Sequence, residues 1–255
     1  MTTAIRHPYL DHPGPIAFAH RGGAAGGLEN TAAAFRHAVE LGYRYIETDV
    51  HASSDGRLVA FHDATLDRVT DAAGRIADLP WSEVQHARVA GTEPVPLFEE
   101  LLETFPDVRW NVDMKAEPAL LPLMDLIERT RAWDRICVGS FSEARVARAQ
   151  RLAGPRLATS YGTRGVLGLR LRSIGVPAAV RRSGVCAQVP ETQSGVRVVD
   201  HRFVRECHAR GLQVHVWTVN EAERMHALLD LSVDGIMTDH IETLRDVMKD
   251  RGIWV

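Results

Sequence analysis

Ile16-Ala-Phe-Ala-His20 and Tyr45-Ile-Glu47-Thr-Asp49-Val50, with a helical stretch over 31–41 between them, decide how this chain folds. Each run is apolar and rich in β-formers until a titratable side chain arrives near its end. Near-continuous apolar runs are the mark of parallel strands covered on both faces. Strand, helix, strand is one βα unit, and the rhythm repeats to the C-terminus. Further strands are expected at 109–115, 136–141, 156–161, 185–190, 213–219 and 235–239. Helices are expected at 97–105, 119–131, 143–152, 201–210, 222–229 and 242–251. Asn30 or Thr31 and Ser142 suit helix N-caps, and Gly42 and Gly211 stand where helix ends favour glycine. The helix between 161 and 184 is poorly marked, because Gly165, Gly168, Gly175 and Pro177 break its pattern. Residues 63–96 leave the rhythm altogether. They follow an extra short strand at 58–62 and are dense in turn signals, so they read as an insertion in the second βα connection. Eight strands alternating with about eight helices in 255 residues suit one (β/α)8 barrel domain over 1–255, with the insertion inside it.

Composition narrows the function. Hydrophobic content of 45% and charged content of 25% are those of an ordinary globular enzyme. A net charge of −3 gives no global pull toward nucleic acid, and none is expected as a partner. The charge is uneven: nine arginines and no Asp or Glu lie between 144 and 190. The plain reading is solvated arginines on outer helices. The sharper one is a positive rim that steers anionic substrates or makes peripheral contact with anionic lipid headgroups. Cys137, Cys186 and Cys207 are odd in number and form no CxxC pair, so they read as reduced thiols. Residues 1–15 lack a signal-peptide core, and no apolar stretch approaches the ~18 residues of a transmembrane segment. The cytoplasm is the default compartment. The oligomeric state is open.

The chemistry lies at the strand ends. His20-Arg21-Gly22, Glu47-x-Asp49 and His62-Asp63 each follow an apolar run, where charged groups are rarely placed for packing. Residues two apart on a strand share a face. Glu47 therefore joins Asp49, and Asn111 joins Asp113 and Lys115. In a barrel these faces meet at the C-terminal mouth. Three carboxylates brought together there repel one another unless a cation lies between them, and an all-oxygen set suits Mg²⁺ or Ca²⁺ rather than zinc. His20 and His62 can supply an acid and a base near neutrality. Arg21 is either an ion-pair partner of a carboxylate or a planar clamp on phosphate. Lys115 adds positive charge useful against phosphate, or pairs with Asp113. Trp217 and Phe141 are either core packing or walls of a substrate pocket. His51, His201 and His208 are assigned to surface or structure. The glycines from Gly22 to Gly27 lack the spacing of a phosphate loop and instead permit a tight turn beside His20.

The ordered set resembles the glycerophosphodiester phosphodiesterase family over nearly the whole chain. His20-Arg21-Gly22 with Glu29-Asn30-Thr31 is similar to its opening, Glu47-x-Asp49 to its metal pair, and His62-Asp63 with Leu66-x-Arg68-x-Thr70 to its continuation. Pro96-Leu97-x-Glu99-Glu100-Leu101, Asn111-Val-Asp113-Met-Lys115, Gly139-Ser-Phe141, Trp217-Thr-Val-Asn220 and Asp234-Gly-Ile-Met-Thr-Asp239 complete the match. Two positions depart from it. Asp113 stands where glutamate is frequent, and the shorter acid sets a cation deeper or ligates it through water. His240 stands where proline is frequent. The resemblance implies a TIM barrel with a small insertion after the second strand, and metal-dependent cleavage of a small glycerophosphodiester to sn-glycerol 3-phosphate and an alcohol. It implies Glu47, Asp49 and Asp113 on one Mg²⁺ or Ca²⁺, and His20 and His62 as acid and base. Arg21 and Lys115 would offset phosphoryl charge. The nearest alternative is a lysophospholipase D or related phosphodiesterase on the same barrel. A different class is a Schiff-base aldolase using Lys115.

Overall fold

A computed structural model describes residues 7–181 and 184–255; Arg182 of the arginine-rich run and the first six residues of the N-terminal segment lie outside them. The strands are β1 (Ile16–His20), β2 (Tyr45–Ala52), β3 (Leu58–Ala60), β4 (Arg88–Val89), β5 (Glu93–Pro94), β6 (Arg109–Met114), β7 (Ile136–Gly139), β8 (Ala158–Thr159), β9 (Cys186–Pro190), β10 (Thr192–Gln193), β11 (Val196–Arg197), β12 (Gln213–Trp217) and β13 (Gly235–Thr238). The helices are α1 (Ala32–Glu40), α2 (Trp81–Val84), α3 (Phe98–Thr104), α4 (Leu120–Thr130), α5 (Glu143–Ala153), α6 (Thr163–Ser173), α7 (His201–His208), α8 (Ala222–Asp230) and α9 (Ile241–Asp250).

Eight parallel strands run in the order β8-β7-β6-β2-β1-β13-β12-β9. The ring is joined between β8 and β9 by a bridge of Ser160 to Cys186. There Tyr161 N–H donates to Cys186 O at 2.9 Å and Val185 N–H to Thr159 O at 2.9 Å. This is the TIM barrel that the alternation predicts. β3 adds an antiparallel strand to β2, and after it α2, β4 and β5 form a side structure over residues 63–96. That side structure has its own apolar cluster, including Phe61, Leu66, Ile76 and Val84.

Period-two alternation separates two cores. Outward residues such as Ala17, Ile46, Trp110 and Val112 pack under the helices. Trp110 meets Phe35 and Phe98 edge-on at 5.1 and 5.6 Å, and burying each phenyl ring contributes about 1.5–3 kcal/mol. Inward residues at the N-terminal end, among them Phe18, Tyr45, Cys137 and Met237, fill the barrel with Tyr9 as a plug from below. Tyr45 Oη donates to Tyr9 O at 2.7 Å. Gly235 is required there, since a Cβ would stand 2.9 Å from both His215 and Phe18.

The expected elements shift in two ways. Strands end earlier than predicted, at Gly139, Thr159 and Trp217, because the residues beyond turn out of the sheet to shape the mouth. The poorly marked helix is present as α6. Its Gly165 answers packing, since a Cβ would stand 2.6 Å from the Tyr161 ring. Among the described residues no helix is long and apolar enough to cross a membrane.

Candidate active site

The mouth is built from the ends of β1, β2 and β6. Pairing in register sets Glu47 beside His20 and Asn111, and Asp49 beside Asp113. After His20 the chain turns through Arg21 (φ 52°), Gly22 (φ 83°) and Gly23 (φ 99°). A left-handed arginine costs roughly 1 kcal/mol or more. The turn aims the Arg21 N–H at Glu47 Oε2 (3.2 Å) and its guanidinium at Asp49 Oδ2 (3.3 Å) and Glu29 Oε1 (3.1 Å). Asn30, also left-handed at φ 58°, donates from Nδ2 to Asp49 Oδ2 at 2.9 Å and accepts from Thr48 Oγ1 at 2.7 Å.

Each histidine is backed by a carboxylate. His20 Nδ1 lies 2.6 Å from Asp239 Oδ1, and its Nε2 lies 3.7 Å from Glu47 Oε2. Burial opposes protonation of His20, but the Glu47 and Asp239 carboxylates outweigh it and raise its pKa above the ordinary imidazole value. Asn220 Nδ2 holds the other Asp239 oxygen at 3.1 Å. His62 Nδ1 lies 2.6 Å from Asp63 Oδ1. Arg68 then spans Asp63 (Nε to Oδ2, 2.5 Å) and Glu29 (Nη2 to Oε1, 2.6 Å). A chain of alternating charge therefore runs from Asp49 through Arg21, Glu29, Arg68 and Asp63 to His62. It brings His62 and the acid pair to one mouth.

The acids are in surplus. Burial and the Asp49 charge push the Glu47 carboxyl up to about 7. Asp49 is buried too, but Lys115 and Arg21 outweigh that and hold its pKa low. Lys115 Nζ lies 2.8 Å from Asp49 Oδ1 and 2.7 Å from Asp113 Oδ2. Asp113 Oδ1 is buried without a hydrogen-bond partner. In kind, these residues fit a hard cation: every donor is an oxygen, negative charge is in excess, and one buried oxygen is orphaned. As placed, no group of three His, Cys, Asp or Glu side chains stands at ligating separation among the described residues, and the Lys115 ammonium bridges two of the three expected ligands.

Phe141 and Trp217 also reach the mouth, with ring centroids 5.8 Å apart and planes at 83°. Sequence reasoning gave no role to Asp239, Glu29, Arg68 or Asn220, although all four lie in motifs it quoted. Only Asp239 carried a signal of its own, as a carboxylate closing a strand; Glu29, Arg68 and Asn220 lie in loops. His51, assigned to surface or structure, is buried, and its Nε2 stands 3.1 Å from the His62 carbonyl oxygen.

Residues 20–243 match the model of the glycerophosphoryl diester phosphodiesterase family. A probable glycerophosphodiester phosphodiesterase 2 of Mycobacterium tuberculosis is 44% identical over 251 residues, covering 96% of this chain and 95% of its own length. A lysophospholipase D of Homo sapiens is 28% identical, covering 90% of this chain and 84% of its own. Among solved structures, the phosphodiesterase of Oleispira antarctica in complex with the product sn-glycerol-3-phosphate superposes with a TM-score of 0.76 at 21% identity, over 92% of this chain and 97% of that one.

Proposed function

This chain belongs to the glycerophosphoryl diester phosphodiesterase family, and on that premise we propose that it hydrolyses glycerophosphodiesters to sn-glycerol 3-phosphate and an alcohol, using a divalent cation and two histidines. The relative at 44% identity is named for this activity, and the Oleispira neighbour holds the corresponding product. One observation in the site carries the catalytic part: two imidazoles share a mouth with a surplus of carboxylates, and each has its Nδ1 on a carboxylate.

That backing supports Nε2 of each ring as the nitrogen that faces the reaction. With Nδ1 engaged, Nε2 of each ring is left to exchange protons. One imidazole takes the proton of the attacking oxygen. The other gives a proton to the alcohol oxygen as its bond to phosphorus breaks. Arg21 and Lys115 offset charge on the phosphoryl oxygens. Glu47, Asp49 and Asp113 are the residues that would hold Mg²⁺ or Ca²⁺, which when bound supplies Lewis-acid stabilisation of phosphoryl charge. For the lysine to leave Asp49 and Asp113, it need only swing its flexible stem toward phosphate.

Lys115 is ill suited to a Schiff base. Burial favours the neutral amine, but Asp49 and Asp113 outweigh it and raise the pKa above that of an ordinary lysine, so the nucleophilic free amine is scarce. The decisive assay follows glycerol phosphate released from a panel of glycerophosphodiesters, and the free alcohol released from a lysophospholipid, after chelation and then with Mg²⁺ or Ca²⁺ restored. Release only with metal is expected. Absence of release under every condition refutes the proposal. His20→Ala and His62→Ala should each lower kcat by about 10²–10⁴-fold with the fold retained, and near-parental turnover removes that histidine from the mechanism.

A further inference from the structure

A barrel interior is ordinarily filled by layers of branched apolar side chains. Here the filling changes beneath the mouth. Above the cluster of Phe18, Tyr45, Cys137 and Met237 lies a row of polar groups from three strands: Asn111 on β6, Gln188 on β9 and His215 on β12. Asn111 is 4% exposed and His215 is fully buried. The mechanism above uses none of the three.

The row has a direction. His215 Nε2 lies 2.9 Å from Gln213 Oε1, which can only accept, so the ring donates there and accepts at Nδ1. Gln188 Nε2 donates one hydrogen to that Nδ1 at 3.4 Å and the other to Asn111 Oδ1 at 2.7 Å. Phe18 lies against the imidazole, with ring centroids 4.9 Å apart. β7 sends no side chain into this space: Gly139 faces it, and a Cβ there would stand 3.6 Å from Gln188 Oε1.

With Oδ1 taken, the Asn111 amide is left to donate. Its Nδ2 has no hydrogen-bond partner among the described residues. Gln188 lies on the β7 side of β6, so Nδ2 is turned to the other side. There β2 sets Glu47 beside Asn111, and Asp113 follows two residues on along the same face. A buried amide N–H is rarely left unpaired. A bound phosphate ester or its hydroxyl groups would bring the missing acceptor.

We infer that Gln188 is a positioning residue: it fixes the Asn111 amide with Nδ2 toward the floor of the mouth, where Nδ2 donates to an oxygen of the bound glycerol phosphate unit. This rests on the phosphodiesterase reading above. Asn111 becomes a substrate-binding residue with no part in proton transfer, and Gln188 acts only through it.

The test reads the amide directly. In a nitrogen–proton correlation spectrum of the full chain with Mg²⁺, the Asn111 side-chain pair is assigned by its loss in Asn111→Ala. Adding sn-glycerol 3-phosphate should move one proton of that pair downfield. Inorganic phosphate and glycerol, given singly, then show whether the acceptor is a phosphoryl or a hydroxyl oxygen. In turnover, Gln188→Met keeps the side-chain length but cannot donate, so KM should rise about tenfold with kcat held within about threefold. The same change made on top of Asn111→Ala should raise KM no further, because the residue it positions is gone. Additive effects of the two changes overturn the proposal, as does a parental KM in Gln188→Met. Ligand-induced shifts at His20 that leave the Asn111 pair unmoved also overturn it. If nothing in the mouth responds to any ligand and no glycerophosphodiester is hydrolysed, the phosphodiesterase reading fails and takes this proposal with it.

Discussion

Asp63 does for His62 what Asp239 does for His20. Both carboxylates stand 2.6 Å from an Nδ1, yet only one of the pairs is local. Asp63 is the next residue in the chain, whereas Asp239 lies 219 residues from His20. The sequence therefore displays the first dyad in His62-Asp63 and hides the second until β1 and β13 pair. Arg21 was equally ambiguous, because ion pair and phosphate clamp differ only in what lies opposite the guanidinium. Asp63 has a measurable consequence. Its hydrogen bonds from Arg68 outweigh burial and, with His62, hold it down at about 2 against an ordinary 3.8. The folded chain thus binds fewer protons at this site than the unfolded one between those values. The stabilisation is complete above about pH 4 and is lost as pH falls through about 2. The difference in urea midpoint between the parent and Asp63→Asn should be full at pH 5 and narrow steadily below 4. A difference that stays constant to pH 2.5 means that Arg68 does not hold this carboxylate in solution.

Among the elements, the stretch over 63–96 was legible only as an interruption, because turn signals mark where a rhythm breaks and not what the break is for. Its contact with the mouth is made by Arg68, whose fork joins Asp63 to Glu29. No periodicity announces such a residue. It acts through a side chain, and the residue it serves is on a different element. Because Arg68 is about half exposed, its loss leaves little cavity, so Arg68→Gln should shift the melting temperature by only a few degrees. The same change frees Asp63 and lets the His62 ring turn, and small misplacements of a reacting group are costly. A fall in kcat of about ten- to hundredfold is expected, with partial recovery in Arg68→Lys, since an ammonium is a point charge without the fork. Unchanged kcat shows that the insertion does not position His62. α6 was obscured for a different reason. Glycine costs up to about 1 kcal/mol in a helix interior, but at Gly165 and Gly168 a methyl would press on Tyr161 and Val180. Packing overrides propensity there, so a pattern read along the chain loses the helix.

At the scale of the whole molecule, the barrel gathers charges and thiols that the sequence holds apart. The arginine-rich run looks uncompensated in one dimension. Folded, Arg145 and Arg148 meet Glu117, Arg156 meets Glu128, Arg164 meets Glu143, Arg170 meets Asp200 and Arg172 meets Glu206. Every one of those acids lies outside the 144–190 run, brought in by neighbouring elements or the run's own flank. The cysteines behave similarly. Cys137 and Cys186 sit on β7 and β9 with β8 between them, and their sulfurs are 4.0 Å apart inside the ring. Both are fully buried, as is Cys207 on the buried face of α7, where burial and then the nearby acids push the thiol up to about 12. The ring closes beside this pair through β8, a strand of two residues, so seam and thiols test the same thing. The inner cluster ties Cys137 and Cys186 to Phe18, Tyr45 and Met237 on other strands. The seam should therefore open only when the whole barrel does. At pH 8, a disulfide reagent should modify all three thiols at least about 10³-fold more slowly in the native chain than in denaturant. Across a urea series, their exposure should coincide with the loss of circular dichroism. Reaction of Cys137 or Cys186 well below that transition would show that β8 and β9 part first and that the barrel is not one cooperative unit.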